Sequence, residues 1–234
     1  MNNGLLQLKI KERLNKLASL DYDNFECWQI QEAFNKAQIE WIRRRLHGIN
    51  QLKQGAEDSL YSVDDVQILL KEEKLALTKY DKYFETVNSI PADYLHFVRV
   101  SVKAFQECCP KRDMTVYQTE EANIDEILTD NLKDPSFEWS ETVCTLVGGK
   151  LRIYTNNKFD LDDAKLTYFR KPVNVEFNGC TNVYTQTVST ADVECELKED
   201  VIEVVVDNAV MILAGDIESM VQYQRASGNV QSNT

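Results

Sequence analysis

From about Lys198 to Tyr223 the chain is apolar almost all the way round a helix, and this segment restricts the possible folds more than any other. Val201, Val204, Val205, Ala209 and Ile212 form one stripe, and Val206, Val210, Leu213, Ile217 and Met220 carry it round the cylinder. A surface helix needs one apolar stripe, whereas a helix apolar on most sides must be buried on more than one. Glu194, Glu196, Glu199 and Asp200 lie at its start, where acids suit the helix dipole. The run Val201–Ala214 is interrupted by charges and an Asn and is too short to cross a bilayer. The segment is therefore expected to pack on the N-terminal helices and on a sheet.

Two helices are expected at the N-terminus. Leu6, Ile10, Leu14 and Leu17 recur at helical spacing over Leu5–Ala18. Asp21–Asn24 supplies capping groups for a second helix, Phe25–Leu46, which Gly48 ends. Ile30, Phe34, Ala37 and Trp41 share a stripe that Trp28, Ala33, Ile42 and Leu46 widen. Such a broad aromatic face must meet another helix or a neighbouring subunit. Asn50–Tyr61 reads as a loop, and a capping box at Ser62-Val63-Asp64-Asp65 opens a short helix reaching Leu70.

Beyond Lys74 the period changes from helix to strand. Short strands are expected at Leu75–Thr78, Tyr83–Val87 and Met114–Gln118, with a short helix at Ala122–Thr129. Val98, Val100, Val102 and Ala104 alternate along one face of a strand that starts at His96. Gly148-Gly149 between Val143–Val147 and Lys150–Thr155 marks a hairpin. Lys165–Arg170 forms a further strand, Pro172 marks an edge or break, and Val173, Val175 and Phe177 alternate after it. Asn178–Asp192 reads as a loop or extended arm, and Ser227–Thr234 as a disordered polar tail. The class is α+β: an N-terminal helical bundle, a mostly antiparallel β-sheet region and a buried C-terminal helix. The expected division is a helical region 1–74 completed by helix 198–223, a β-rich region 75–193, and the C-terminal helix and tail 194–234.

The net charge of −12 is uneven. Residues 1–55 hold nine Lys/Arg against six Asp/Glu, or +3, and the remainder 17 against 32, or −15. A surface so acidic repels nucleic acid. Arg43-Arg44-Arg45 is the basic exception and reads as a partner-facing cluster at a helix end. Interface candidates are therefore Trp28, Phe34, Trp41, Arg43, Arg44 and Arg45. The six cysteines contain no CxxC pair, and Cys108-Cys109 are adjacent, so all thiols are expected reduced in a cytoplasmic setting. The Met-Asn-Asn-Gly start carries no apolar block of a secretory leader.

The chain has no P-loop, dinucleotide glycine fingerprint, GxSxG or HExxH motif. No catalytic residue, cofactor or metal is expected. His47 is accounted for by a helix end and His96 by a strand start, and Glu120-Glu121 and Asp162-Asp163 read as solvated loop acids. The Arg cluster ends its helix instead of opening one, which argues against a helix-turn-helix reader.

Five segments in order carry a resemblance. They are Gln31-Glu32-Ala33-Phe34-Asn35-Lys36-Ala37-Gln38 continuing through Trp41 and Arg43-Arg44 to Leu46-His47-Gly48; Ile90-Pro91-Ala92-Asp93-Tyr94-Leu95; Leu151-Arg152-Ile153-Tyr154-Thr155-Asn156; Leu166-Thr167-Tyr168-Phe169-Arg170-Lys171-Pro172; and Ala214-Gly215-Asp216-Ile217-Glu218. Together they resemble the head-to-tail connector, or ring adaptor, proteins of short-tailed crAss-like bacteriophages. The resemblance covers roughly residues 25–225 and rests on the ordered set, not on one motif. It implies a non-enzymatic virion subunit at the head-tail interface, made in the host bacterial cytoplasm. It also implies rings, usually of twelve copies, joined by heterologous contacts below the portal. The implied partners are copies of the same chain, the portal protein and adjacent connector or tail proteins. Packaged DNA would pass the lumen without sequence-specific binding, and no membrane is involved. The alternative readings are a soluble enzyme of unrecognised type and a DNA-binding regulator.

Overall fold

A computed structural model describes residues 1–15, 25–47, 64–106, 109–183, 186–216, 224 and 227–228. The expected loop at Asn50–Tyr61, the first residues of the capping box, Leu17 and most of the polar tail lie outside these residues. The chain forms two compact units, a helical one from Met1–Ile68 and Pro172–Thr234 and a sheet one from Leu69–Lys171. The structural boundaries thus fall at 68/69 and 171/172, not at 74 and 193. The reason is local. Leu70 already pairs with Phe169, and residues after Pro172 are held by a helix instead of a sheet.

In the helical unit, α1 (Asn3–Asn15) and α2 (Cys27–His47) pack on α4 (Glu199–Asp216). Leu6, Ile10 and Leu14 of α1 are buried, as are Ile30, Phe34, Ala37, Trp41 and Ile42 of α2. Every described α4 residue from Val201 to Ala214 is buried or half-buried, as an all-round apolar helix requires. Lys9 and Arg13 of α1 bind Glu203, and Arg13 Nη1 also donates to Asp207 at 2.7 Å. This pairing lies along the rim of the α1–α4 contact. After Pro172 the chain is irregular, with one bridge between Glu176 and Val193 and a two-residue hairpin, β9 (Thr181–Asn182) with β10 (Thr187–Val188).

The sheet unit is an eight-stranded sheet in the order β1-β8-β4-β5-β6-β7-β3-β2. The strands are β1 (Leu70–Leu75), β2 (Leu77–Lys79), β3 (Tyr83–Thr86), β4 (Tyr94–Gln106), β5 (Cys109–Gln118), β6 (Glu141–Val147), β7 (Lys150–Tyr154) and β8 (Asp160–Arg170). The two ends of the sheet are β1 and β2, which Ala76 alone separates in the chain. One bent strand therefore pairs with β8 in its first half and with β3 in its second, and the sheet closes on itself as a barrel. Closure leaves no long unpaired edge to recruit a foreign strand. The interior is filled by side chains including Val100, Val102, Ala104, Leu151, Ile153, Leu166 and Tyr168.

The Gly148-Gly149 hairpin is present, with φ of +58° and +76°, values that glycine alone adopts without strain. Three local expectations are corrected. The short helix does not reach Leu70: Asp64 is helical, but a turn and a 3-10 segment, Gln67–Leu69, follow it and lead straight into β1. Val98 leaves the inner face because the register with β8 shifts between Phe97 and Arg99, and such a bulge reverses the alternation. Asp162-Asp163 lie in β8, where Lys111 pairs with Asp162. One strand pair, β5 with β6, is parallel. It needs a long connection, residues 119–140, which contains α3 (Ile124–Thr129).

Candidate interaction surfaces

The six sequence-derived interface residues separate into interior and surface. Phe34 is 0% exposed and Trp41 3%, so both belong to the core of the helical unit and neither can meet a neighbouring subunit in the folded chain. Their apolar face is the one α4 covers. The three arginines differ. Arg43 is exposed, Arg44 reaches Asn208 Oδ1 at 3.2 Å and Glu40 at 3.9 Å, and Arg45 lies 5.3 Å from the Trp41 ring centroid. Trp28 is half-buried and, with Lys36, Ile39 and Arg43, lines a groove of about 620 Å3 along the outer side of α2.

The segment Gln31–Gln38 has a structural task. The Asn35 side-chain amide donates to Val175 O at 3.1 Å and accepts from Val175 N at 2.8 Å, as a paired strand would. Gln31 Oε1 accepts from Phe177 N, and Gln38 Nε2 donates to Asn35 Oδ1. Amides one helical turn apart thus satisfy the backbone of a segment that joins no sheet, whose Val175 and Phe177 are buried. Cys27, at the start of α2, is bonded to Cys180 across 153 residues of sequence, with Cα atoms 5.9 Å apart. This overturns the expectation of fully reduced thiols. Spacing along the chain says nothing about two cysteines that a fold brings within bonding distance. Cys144 and Cys195 are free, and burial pushes the Cys144 thiol up to about 12, where it is a poor nucleophile.

In the sheet unit Ile90–Leu95 meets the end of β8. Tyr168 is 0% exposed, and its hydroxyl donates to Asp93 Oδ1 at 2.9 Å. Lys71 Nζ donates to the other Asp93 oxygen at 3.0 Å, and Lys171 N donates to Asp93 O. Tyr94 packs beside Tyr168 with ring centroids 5.7 Å apart. Burial pushes the Asp93 carboxyl up, but the hydrogen bonds from Lys71 and Tyr168 outweigh it and hold the group below its usual range.

A second cluster was not legible in sequence. Tyr80 and Tyr83 stack with centroids 5.1 Å apart, and Arg152 lies 5.1 Å over the Tyr83 ring. Arg152 Nε donates to Glu85 at 2.9 Å and Nη1 to Glu121 at 3.1 Å, and Tyr154 Oη donates to Glu121. These groups, with Ile124 and Leu128, line a cleft of about 580 Å3. Glu121, expected as a solvated acid, is instead the link between α3's approach and β7. Hydrogen bonding from Arg152 and then Lys150 lowers the Glu85 carboxyl. Glu121 is raised by burial but lowered more by its hydrogen bonds and the Arg152 charge. Among the described residues no three His, Cys, Asp or Glu side chains stand together as a metal site needs.

These shifts imply a direction for pH. Glu85, Asp93 and Glu121 sit below their unfolded values, so each contributes stability above the ordinary carboxylate pKa that is lost as pH falls through the folded value. Asp207 in the helical unit runs the other way, since burial outweighs Arg13 and raises it. The sheet unit is expected to lose stability below about pH 4.5, and Glu85→Gln should flatten that dependence. Urea unfolding across pH 7 to 3 checks this, and an unchanged slope in the variant would remove Glu85 from the account.

Among the described residues, the two most exposed large apolar side chains lie in the β5–β6 connection. Leu132 is 93% exposed and Trp139 80%. Between Thr119 and Glu141 the chain holds eight Asp/Glu and one Lys. No helix among the described residues is long and apolar enough to cross a membrane. No protein-family model matches the chain, and a search of curated proteins gives no match.

Proposed function

We propose that the chain is a non-enzymatic structural subunit of a virion, forming a ring in the head-to-tail connector below the portal of a short-tailed phage of the crAss-like type. The ring would join capsid to tail and surround the path of packaged DNA. The observation that carries this reading is the ordered set of five segments, two of which, Ile90–Leu95 and Leu166–Pro172, meet through Asp93. Gln31–Gln38 of α2 grips the backbone after Pro172, and Asp93-Tyr94 locks onto Tyr168 and Lys171. The −15 balance after residue 55 supports passage of DNA, because like charge avoids the counterion release that drives binding.

The test is direct. Purified virions should contain the chain in stoichiometric amount, and electron microscopy should place it as a symmetric ring at the portal vertex. Absence from purified virions overturns the reading. A specific gel shift at moderate salt would favour a DNA-binding regulator instead.

A further inference from the structure

The cleft beside Tyr80 lies on the face of β3 and β7 opposite Phe84, Leu151 and Ile153, which fill the barrel. Across the two strands Tyr83 pairs with Tyr154 and Glu85 with Arg152. The volume of about 580 Å3 falls within the range of small-ligand sites. Its aromatic wall comes from the turn between β2 and β3. Tyr80 N donates to Tyr83 O at 2.8 Å, and Lys82 O accepts from Thr155 N and Asn156 N, both at 3.0 Å. Backbone bonds thus hold the turn, and Tyr80 stacks on Tyr83 while 46% exposed. A rigid aromatic side chain with uncovered area offers contact at little cost in conformational entropy.

The charges decide the class of ligand. Arg152 is the lining group best suited to an anion, but Glu85 and Glu121 already accept from its Nε and Nη1. The same guanidinium lies over the Tyr83 ring, so the chain's own cation fills the place that a cationic ligand would take there. Nearer solvent, exposed Lys82 shares the lining with exposed Asp81 and Asp125. An ion of either sign would meet like charge, whereas a neutral polyol would find donors and acceptors together. A pyranose ring has the matching surface, with C–H groups on one face and hydroxyls around its edge.

We infer that this cleft binds a neutral saccharide, a hexopyranose either free or within a glycan chain, whose C–H face stacks on Tyr80 and whose hydroxyls bond Asp81, Lys82 and Asp125. Glu85 and Glu121 are held below the ordinary carboxylate range, so the floor supplies no general acid for cutting a glycosidic bond. The inference does not depend on the virion reading.

The test uses the purified full-length chain with glucose, galactose, cellohexaose and mannohexaose as neutral probes. Oligogalacturonate, chitosan hexamer and adenosine monophosphate are the charged comparators. Saturation-transfer NMR should show contact to the ring protons of at least one neutral probe, and calorimetry should give its affinity. Tyr80→Ala should weaken that affinity about tenfold, the scale of one lost aromatic contact, and Tyr80→Phe should not. Asp125→Ala should weaken it as well. Both positions are exposed, so these variants should unfold at the same urea concentration as the original chain. Preference for the hexamers over the monosaccharides assigns the site to a glycan chain, and equal affinity assigns it to free sugar. No binding of any neutral probe, tighter binding of a charged comparator, or unchanged affinity in Tyr80→Ala would each overturn the inference.

Discussion

Replacing Cys27 and Cys180 together by Ser is expected to cost the helical unit about 2–5 kcal/mol, the range for a native bridge that closes a long loop. The two cysteines are 153 residues apart, so the bond restricts a large part of the unfolded chain. In the folded chain it ties the first turn of α2 to the Gly179-Cys180 turn that leads into β9. The Asn35 and Gln31 contacts to residues 175–177 do not depend on it, so the double variant should fold and merely unfold earlier. Urea unfolding of the original chain with a thiol reductant should match the double variant without one. Digestion of the non-reduced protein should release the Cys27 and Cys180 peptides as a linked pair. If the reductant changes nothing and Cys27 alkylates without it, the bridge is absent. Cys144 should stay unreactive in the folded state either way, because burial keeps it a thiol.

Tyr168→Ala should cost the sheet unit about 3–5 kcal/mol, the range for truncating a fully buried aromatic. The ring fills the barrel interior, and its loss would leave a cavity among Leu166, Val100 and Tyr94. It would also strip a donor from Asp93. Tyr168→Phe separates the two effects. It keeps the packing and removes only the hydroxyl, so a loss of about 1.5–3 kcal/mol is expected for a hydrogen bond to a charged group. Lys71 still neutralises Asp93 in that variant, which argues for the lower end. Equal losses for Phe and Ala would mean that the hydroxyl, not the ring, holds the framework. No loss for Phe would mean that Asp93 is fully served by Lys71.

Sequence periodicity was sufficient wherever one element's own residues decide its shape. The stripes of α1, α2 and α4, the alternation of Val100, Val102 and Ala104, and the Gly148-Gly149 turn are local patterns set by helix and strand geometry. The α+β class follows from their order. What stayed hidden depends on which distant residues meet. Nothing in the run Leu70-Lys71-Glu72-Glu73-Lys74-Leu75 shows that it pairs with Phe169 through Ala164, and a charged sequence of that kind resembles a helix until its partner is known. Barrel closure through Ala76 likewise needs both neighbours of a bent strand. Glu121 reads as a loop acid because its partners, Arg152 and Tyr154, are about thirty residues on. The Cys27–Cys180 bond is invisible for the same reason. Phe34 and Trp41 were legible as a sticky face, but only the position of α4 decided that the face is interior while Trp28 and Arg43 remain at the surface. An amphipathic pattern states that a face must be buried. It is the rest of the fold, through the area left uncovered, that determines what buries it.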